Sequence, residues 1–196
     1  MPRLILVKHS LPEVVPAISP ARWALGEEGR RRCPVLARHL EPYLPAGIIC
    51  SEEPKAAETA RLVAWHLDRT WTTAPGLHEH RREAVGWQAR EAFEAGMRAF
   101  FSAPERLVFG EETAREAAER FGGAVAGVVM RHPDENVIVI AHGTVITLFV
   151  ARYNDVEPFA FWQRLGLPSI VVLDRPGFRH VKVVKEVAHC DRDQMG

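Results

Sequence analysis

The sequence predicts an α/β protein in three layers, with a doubly wound, mostly parallel sheet between helices on both faces. Short apolar segments such as Leu4–Val7 alternate along the chain with longer segments of helical spacing. Strands that alternate with helices form parallel sheets. The most strand-like segment, Asn136–Ala141, lacks the polar alternation of a half-exposed strand, which indicates a central strand covered on both faces.

The N-terminal part follows a strand, helix, strand, helix order. Leu4–Val7 is predicted to be a buried strand that runs into a loop. Residues 27–44 carry apolar side chains at helical spacing, with Arg30–Arg32 on a solvated face. A second strand, Gly47–Cys50, precedes residues 54–67, whose apolar side chains again have helical spacing. This part therefore supplies two parallel strands and their helices.

The middle of the chain carries weaker strand signals. Residues 71–74 fit a third short strand, whereas residues 75–87 are polar and rich in histidine and arginine, which predicts a functional loop. Residues 89–101 are predicted to be helical. Thr113 and Glu116 have the spacing of a capping box, so a long helix is predicted to start at Thr113.

The C-terminal part supplies the central strand and two more. An apolar helix is predicted to follow Asn136–Ala141, and Ser169–Leu173 and His180–Val187 are predicted to be the last two strands. Residues 191–196 are expected to be a frayed tail. Because the sequence contains no repeat and no linker, residues 1–190 are expected to form a single domain.

Composition excludes several functional classes. The chain has 196 residues, of which 47% are hydrophobic and 26% are charged, as in soluble globular domains. A formal net charge of 0 gives no global attraction to nucleic acid or to an anionic membrane. We expect neither a signal peptide nor a membrane span. Three cysteines without ligand-like spacing argue against disulfides or a zinc cluster, so a cytoplasmic protein is expected.

Polar residues follow three of the predicted strands directly. These groups are Lys8-His9-Ser10, Ser51-Glu52-Glu53 and His142-Gly143-Thr144. In open α/β sheets, ligands bind at the carboxyl ends of the strands, where these groups would be brought together. A single histidine at such a place is usually a packing or capping residue. Two histidines with a lysine beside the first are more specific and point to a functional site.

Five short motifs occur in the order and spacing of a known family. Lys8–Ser10 is similar to an Arg-His-Gly motif, and Ser51–Ala60 to a Ser-Ser-Pro, Arg-Ala, Thr-Ala motif. Leu77–Glu79 is similar to a Leu-x-Glu motif, Gly110–Thr113 to a Gly-Glu-Ser helix start, and Val139–Gly143 to a strand that ends in His-Gly. From about residue 3 to residue 174 the chain resembles the histidine phosphatase superfamily, in its phosphoglycerate mutase-like branch.

The resemblance implies a metal-independent phosphatase that needs no cofactor. His9 would attack phosphorus and form a phosphohistidine, which water would then hydrolyse. Glu79 would protonate the leaving group, with Glu83 as the alternative acid. The acid form of Glu79 would be maintained by burial or by the charge of the bound phosphate.

The resemblance also assigns donors to the phosphoryl oxygens, which carry the charge in the transition state. His142 would be the second catalytic histidine. The phosphate-binding residues would be Lys8 and Lys55, together with Ser10 or Thr144.

The sequence departs from the family pattern at three positions. Lys8 and Lys55 stand where the family has arginines, and Ser10 replaces a glycine. Arginine offers a planar fork to two phosphate oxygens, whereas lysine supplies a point charge. Arg81 and Arg82 in the predicted functional loop could supply the missing forks, or they could serve only to keep that loop soluble.

Other residues in this loop allow further interpretations. His78 and His80 could be metal ligands, but adjacent ligands on one loop without a clear third partner do not make a typical zinc site, so no metal is expected. Trp87 follows Gly86 and could line the mouth of the site.

Three functions remain compatible with the sequence. The first is a phosphomonoester hydrolase that acts on a small phosphorylated substrate. The second is a mutase-type phosphotransferase of the same fold. The third is a phosphate-binding or regulatory protein with weakened chemistry, for which the two lysines are the motivation. No nucleic acid or membrane partner is expected, and a homodimer is compatible with the sequence.

Overall fold

The computed structural model describes residues 1–188, which form one six-stranded sheet with six α-helices packed around it. The strands are β1 (Arg3–Lys8), β2 (Ala46–Cys50), β3 (Trp71–Thr73), β4 (Asn136–Ala141), β5 (Ser169–Asp174) and β6 (His180–Val184). The helices are α1 (Glu27–Leu40), α2 (Pro54–His66), α3 (Arg90–Ser102), α4 (Ala114–Arg131), α5 (Gly143–Tyr153) and α6 (Pro158–Arg164).

The sheet has the order β3-β2-β4-β1-β5-β6. β3, β2, β4 and β1 pair with their neighbours in parallel, whereas β5 is antiparallel to both β1 and β6. The sheet is therefore mixed, with every strand except β5 pointing the same way. This arrangement confirms the predicted α/β class, and it places the carboxyl ends of β2, β4 and β1 side by side.

Alternate side chains of β1 enter two separate cores. Leu4 and Leu6 pack with side chains of α4 and α5 on one face of the sheet, and Ile5 and Val7 pack with α1 and α2 on the other. All four side chains are fully buried, and each such burial contributes about 1.5–3 kcal/mol. Helices on both faces explain why this strand is continuously apolar.

Thr113 caps α4 as predicted. Its hydroxyl accepts a hydrogen bond from the backbone N–H of Glu116, while the Glu116 carboxylate accepts one from the backbone N–H of Thr113. The two side chains thus satisfy backbone donors that a helix start leaves unpaired. This local motif was readable from sequence because it depends only on residues three positions apart.

Three local details differ from the predictions. The seven-residue α6 was not predicted, because seven residues are too few to establish a helical period. Of the run Arg30–Arg32, only Arg30 and Arg31 are exposed, whereas Arg32 donates to the Leu167 carbonyl and pairs with Glu186. β6 ends at Val184 rather than Val187.

Within residues 1–188, none of the helices combines the length and the hydropathy that crossing a membrane requires. Cys33 and Cys50 are buried free thiols, and burial raises the pKa of each to about 12. Cys190 and the predicted tail at 191–196 lie outside the described residues.

Candidate active site

Three neighbouring strands deliver the central residues of the site. The backbone N–H of His9 donates to the Ala141 carbonyl at 3.0 Å, and that of Ser51 donates to the Ile140 carbonyl at 2.9 Å, so the sheet hydrogen bonding continues to the strand ends. His142 follows β4 directly. The ring centroids of His9 and His142 lie 5.1 Å apart, with 61° between the ring planes. The topology thus brings together the two histidines that the sequence singled out.

The His9 ring is held in one orientation. Its Nδ1 lies 2.7 Å from the backbone carbonyl of Ser10. Because a carbonyl oxygen only accepts hydrogen bonds, Nδ1 carries the proton and Nε2 keeps its lone pair. Burial, followed by the charges of His142 and Lys55, lowers the pKa of His9 well below its ordinary value. His9 is therefore a neutral imidazole with a free nucleophilic nitrogen at neutral pH.

His142 is fully buried beside it. Its Nε2 lies 2.8 Å from the Ser51 hydroxyl, which also accepts a hydrogen bond from the backbone N–H of Glu53. The Ser51 proton can then be donated to Nε2, which leaves the proton of the ring on Nδ1. Nδ1 is buried and has no hydrogen-bond partner among the described residues. Burial and the charge of Lys55 lower the pKa of His142 well below its ordinary value.

Lys8 reaches across the start of α5. Its Nζ donates to the Leu165 carbonyl at 2.5 Å. A Cβ atom on Gly143 would lie 3.0 Å from Lys8 Cε and 3.3 Å from Nζ, so glycine at this position makes room for the lysine. Burial lowers the pKa of Lys8 to about 8, although the charges of Glu79 and Glu186 oppose this change.

We expect this lowered pKa to limit activity in alkaline solution. Lys8 is charged below pH 8 and loses its proton as the pH rises through about 8, so an anionic ligand is held less well at higher pH. The expected result is a decline of kcat/KM above about pH 8. Lys8→Arg should remove this decline because arginine stays charged. Lys182→Arg, an exposed control on β6, should keep it. A decline that persists in Lys8→Arg would show that deprotonation of Lys8 is not its cause.

Lys55 is buried and paired with Glu53, a residue at a strand end for which the sequence predicted no chemical role. Its Nζ donates to the Pro20 carbonyl at 2.7 Å and forms an ion pair with Glu53. Glu53 also accepts a hydrogen bond from the backbone N–H of Glu79 at 2.7 Å, and it lies 3.6 Å from His142 Nε2. The sequence signal that could have revealed Glu53 as a site residue is its position just after the end of β2. Glu53 offsets the positive charge of Lys55.

Glu79 sits at the N-terminus of α5. Its two carboxylate oxygens accept from the backbone N–H groups of Thr144 at 3.2 Å, Val145 at 3.3 Å and His80 at 2.9 Å. Burial raises the pKa of Glu79, but the charges of Arg82 and His142 and the His80 hydrogen bond outweigh it and lower the pKa to about 2. Burial alone therefore does not keep Glu79 in its acid form, which leaves the charge of a bound phosphate as the predicted alternative.

The alternative acid lies in a different environment. Glu83 is exposed and borders the outer part of the site, and its backbone N–H donates to the Glu111 carboxylate. Of the two acids, only Glu79 borders the cavity that contains His9, and it accepts a hydrogen bond from the first turn of α5, directly after His142.

Arg82 borders the inner part of the site next to His9, whereas Arg81 borders only its outer part. The Arg82 guanidinium lies 5.2 Å from the centroid of the Phe93 ring, and its Nη1 is buried with no partner among the described residues. Arg81 is half-exposed, with Nε 3.4 Å from the Glu112 carboxylate. Of the two arginines in the predicted loop, only Arg82 lines a cavity together with His9.

Of the two hydroxyls predicted to bind phosphate, only that of Thr144 borders the cavity that contains His9. The Ser10 hydroxyl donates to the Gly29 carbonyl in α1 at 2.7 Å. Ser10 thus fastens the loop after β1 onto α1, and its role as a phosphate ligand stays a prediction. The Thr144 hydroxyl is buried without a partner in the described part of the chain and borders the cavity that contains His9.

The two histidines next to Glu79 do not converge. His80 packs against Phe100 at a centroid distance of 4.2 Å, and its Nε2 lies 3.1 Å from the Glu112 carbonyl. The Nδ1 of His78 lies 2.9 Å from the Glu79 carbonyl. Among residues 1–188, no group of three or more histidine, cysteine or acidic side chains is arranged to hold a metal ion.

Arg120 and Glu112 support the loop that carries Glu79. Arg120 donates to the carbonyls of Gly76, His78 and Glu79 at 2.8 to 3.2 Å. Its guanidinium is paired with Glu112, which is 1% exposed. Sequence reasoning missed both residues, since no local pattern reveals a side chain of α4 that binds a loop more than 40 positions away.

Two adjoining cavities open at this edge of the sheet. An outer cavity of 210 Å³ is bordered by Glu53, Lys55 and the loop segment 78–83. An inner cavity of 150 Å³ contains Lys8 and His9. Lys55, Glu79 and Arg82 border both cavities. Trp87 is exposed and borders neither cavity, contrary to expectation.

Comparison with known proteins identifies a family. The model of the histidine phosphatase superfamily (branch 1) matches residues 19–185, which is most of the chain. A comparison with curated proteins finds no match.

Solved structures share the fold over nearly the whole chain. Mycobacterial hydrolase 2 is 21% identical with a TM-score of 0.77, and the match covers 98% of this chain and 94% of that one. A mycobacterial glucosyl-3-phosphoglycerate phosphatase is 20% identical with a TM-score of 0.74, covering 97% and 100%. A phosphoserine phosphatase from Entamoeba histolytica, in complex with 3-phosphoglyceric acid, is 16% identical with a TM-score of 0.74, covering 92% and 94%.

Proposed function

The chain belongs to the histidine phosphatase superfamily, and we propose that it hydrolyses phosphomonoesters through a phosphohistidine intermediate on His9. The observation that carries this proposal is the state of His9: a neutral ring whose Nδ1 is fixed by the Ser10 carbonyl and whose Nε2 has a free lone pair. Cationic side chains of Lys8, Lys55 and Arg82 border the same cavity. A nucleophile surrounded by fixed cations suits attack on an anionic phosphoryl group.

The reaction proceeds in two displacements. Nε2 of His9 forms a bond to phosphorus as the bond from phosphorus to the leaving oxygen breaks, and the leaving oxygen takes a proton from Glu79. Water then attacks phosphorus and gives a proton back to Glu79, which releases inorganic phosphate and neutral His9. The negative charge of a bound phosphoryl group raises the pKa of Glu79 from about 2 and allows this carboxylate to pick up the proton it donates.

Five groups would hold the phosphoryl oxygens. Arg82 has a buried Nη1 without a partner among the described residues, and it would supply the planar fork that Lys8 and Lys55 lack. The unpartnered Nδ1 of His142 and hydroxyl of Thr144 would complete the set. With these donors from the chain itself, the proposed mechanism is metal-independent.

Structural relatives support a small phosphorylated substrate. The mycobacterial phosphatase has been solved with inorganic phosphate, and the Entamoeba histolytica phosphatase with 3-phosphoglyceric acid. We propose the same general ligand class, a small phosphorylated compound, for this chain.

A second candidate function is phosphate binding without efficient turnover. The observation that favours it is the ion pair between Glu53 and Lys55, which occupies one of the cations that a phosphate would need. Lys55 Nζ, which donates to Glu53 and to the Pro20 carbonyl, then has one N–H left for a ligand, and the negative charge of Glu53 opposes that ligand.

Phosphate release from a panel of phosphomonoesters, measured with chelator-treated protein, tests the proposal. Turnover that survives the chelator supports a metal-independent phosphatase. Folded protein that binds phosphate and releases none from any ester would overturn the proposal in favour of the binding function. Transfer of the phosphoryl group to an added hydroxyl acceptor, with no release to water, would overturn it in favour of a mutase.

Arg82→Ala is expected to weaken binding of inorganic phosphate about 10-fold to 100-fold, since a hydrogen bond between charged groups contributes about 1.5–3 kcal/mol. Arg81→Ala should change binding by less than about threefold, because this side chain is half-exposed and directed to Glu112. Isothermal titration calorimetry of the two variants provides the comparison. Equal losses in both would show that Arg82 has no special place in the site.

A further inference from the structure

We propose that the preferred substrates carry an apolar or aromatic group on the ester oxygen, rather than a second anionic group. This inference rests on the proposed phosphatase function and names its substrate class. It follows from the composition of the inner cavity, the 150 Å³ space that contains Lys8 and His9.

The lining of the inner cavity combines two kinds of side chain. The charged and polar ones come from the ends of β1 and β4, from the starts of α2 and α5 and from the loop after β3, and they are Lys8, His9, Lys55, Glu79, Arg82 and Thr144. The apolar ones come from the segment between β1 and α1, from α3, from α6 and from the segment after α6. They are Pro12, Pro20, Trp23, Phe93, Trp162 and Leu167. A leaving group held in this cavity therefore contacts rings and aliphatic carbon next to the charged groups around His9.

The three cations of this cavity are the ones proposed above to hold the phosphoryl oxygens. Lys8 donates to the Leu165 carbonyl, Lys55 pairs with Glu53, and the charge of Arg82 lowers the pKa of Glu79. Among the described residues that line the inner cavity, there is no further lysine or arginine. A carboxylate or second phosphate in the leaving group would lose its hydration there without gaining a cationic partner.

The aromatic wall is fixed by its own contacts. Trp23 donates from Nε1 to the carbonyls of Val15 and Ile18, at 3.0 and 3.3 Å. Trp162 stacks on Phe159 at a centroid distance of 5.7 Å and meets Phe93 at 5.8 Å. The same Phe93 ring contacts the Arg82 guanidinium. The wall is thus preorganised and continuous with a phosphate-binding side chain.

The size of the cavity agrees with a small apolar group. The 150 Å³ of the inner cavity must also hold the phosphoryl group, so it leaves room only for a small leaving group, and the cavity adjoins the outer one along Pro20, Lys55, Glu79 and Arg82. One ring or a short alkyl chain next to the phosphoryl group is therefore the expected fit.

Hydrolysis of matched alkyl esters tests this inference. Ethyl phosphate, 2-phenylethyl phosphate and 3-phosphoglycerate are all esters of alkyl alcohols, so the comparison does not depend on the strong leaving groups of aryl esters. We expect kcat/KM for 2-phenylethyl phosphate to exceed that for ethyl phosphate by about tenfold or more, and 3-phosphoglycerate to fall below both. Equal values, or a preference for 3-phosphoglycerate, would overturn the inference while leaving the proposed phosphatase function intact.

Variants of the aromatic wall test whether Trp23 and Trp162 cause the preference for 2-phenylethyl phosphate. Trp162→Ala and Trp23→Ala should each reduce the ratio of kcat/KM for 2-phenylethyl phosphate to that for ethyl phosphate by about threefold to tenfold. Trp162→Phe keeps an aromatic ring and should retain most of the ratio, which separates loss of the wall from loss of folding. Trp65→Ala is the matched control, because Trp65 is 74% exposed on α2 and borders neither cavity. An unchanged ratio in both wall variants would refute the assignment of the wall.

Binding of phosphonates separates the two proposals if no ester is hydrolysed. Absence of turnover would overturn the phosphatase function, but 2-phenylethylphosphonate should still bind about tenfold more tightly than ethylphosphonate if the apolar wall recognises the ligand. Equal affinities of the two phosphonates would overturn the inference independently of catalysis.

Discussion

Replacing His9 with alanine is expected to lower kcat/KM for every phosphomonoester by at least about 10³-fold, because the variant lacks the nitrogen that receives the phosphoryl group. The neighbouring imidazole, that of His142, is not free to take its place. His142 is fully buried, with Nε2 engaged by Ser51. Steady-state phosphate release with chelator-treated protein measures this loss.

A direct search for the intermediate accompanies the kinetics. Rapid quenching in base, followed by mass spectrometry, should detect a phosphoryl group on the peptide that contains His9, and the His9→Ala variant should lack it. His39→Ala is the matched control, since His39 is exposed on α1, and it should behave like the wild-type protein. Turnover by His9→Ala at a rate within about tenfold of the wild type would rule out His9 as the nucleophile.

The second large effect is expected for Glu79→Gln. Loss of a general acid reduces the rate by about 10²-fold to 10⁴-fold, and the loss should be greatest for alkyl esters, whose leaving oxygens are strongly basic. 4-Nitrophenyl phosphate should lose much less, because its leaving group departs without a proton. The measurement is kcat for both ester types in the wild-type protein and the variant.

Glu83→Gln is the matched control for the choice of acid. Glu83 is exposed, so this substitution should change kcat by less than about threefold. Circular dichroism should show that Glu79→Gln remains folded, since an amide oxygen can still accept from the start of α5. An equal loss for alkyl and 4-nitrophenyl esters would indicate that Glu79 positions the substrate instead of donating a proton.

The sequence by itself determined the fold class and the centre of the site. Continuous apolar strands predicted a sheet covered on both faces, and the strand ends predicted that His9 and His142 would meet. Both predictions rest on short-range patterns, namely the character of one strand and the residue that follows it. The capping box of Thr113 and Glu116 is readable for the same reason, because all its atoms lie within one helical turn.

Only the tertiary structure decided which nearby polar groups face the site. Arg81 and Arg82 are adjacent in sequence, yet Arg81 pairs with Glu112 and borders only the outer cavity, while Arg82 lies over Phe93 in the inner one. The Ser10 hydroxyl turns towards α1 because the Gly29 carbonyl is within reach. Direction of a loop side chain depends on partners far away in the chain, which sequence spacing does not encode.

The charge state of the site and its apolar wall were also decided by tertiary contacts. The pKa of Glu79 follows from the balance between burial and the charges of Arg82 and His142. Trp23 and Trp162 lie 139 positions apart in sequence and meet at one cavity. A sequence lists such residues, whereas electrostatic balance and cavity walls arise from distances in space, which only the folded chain sets.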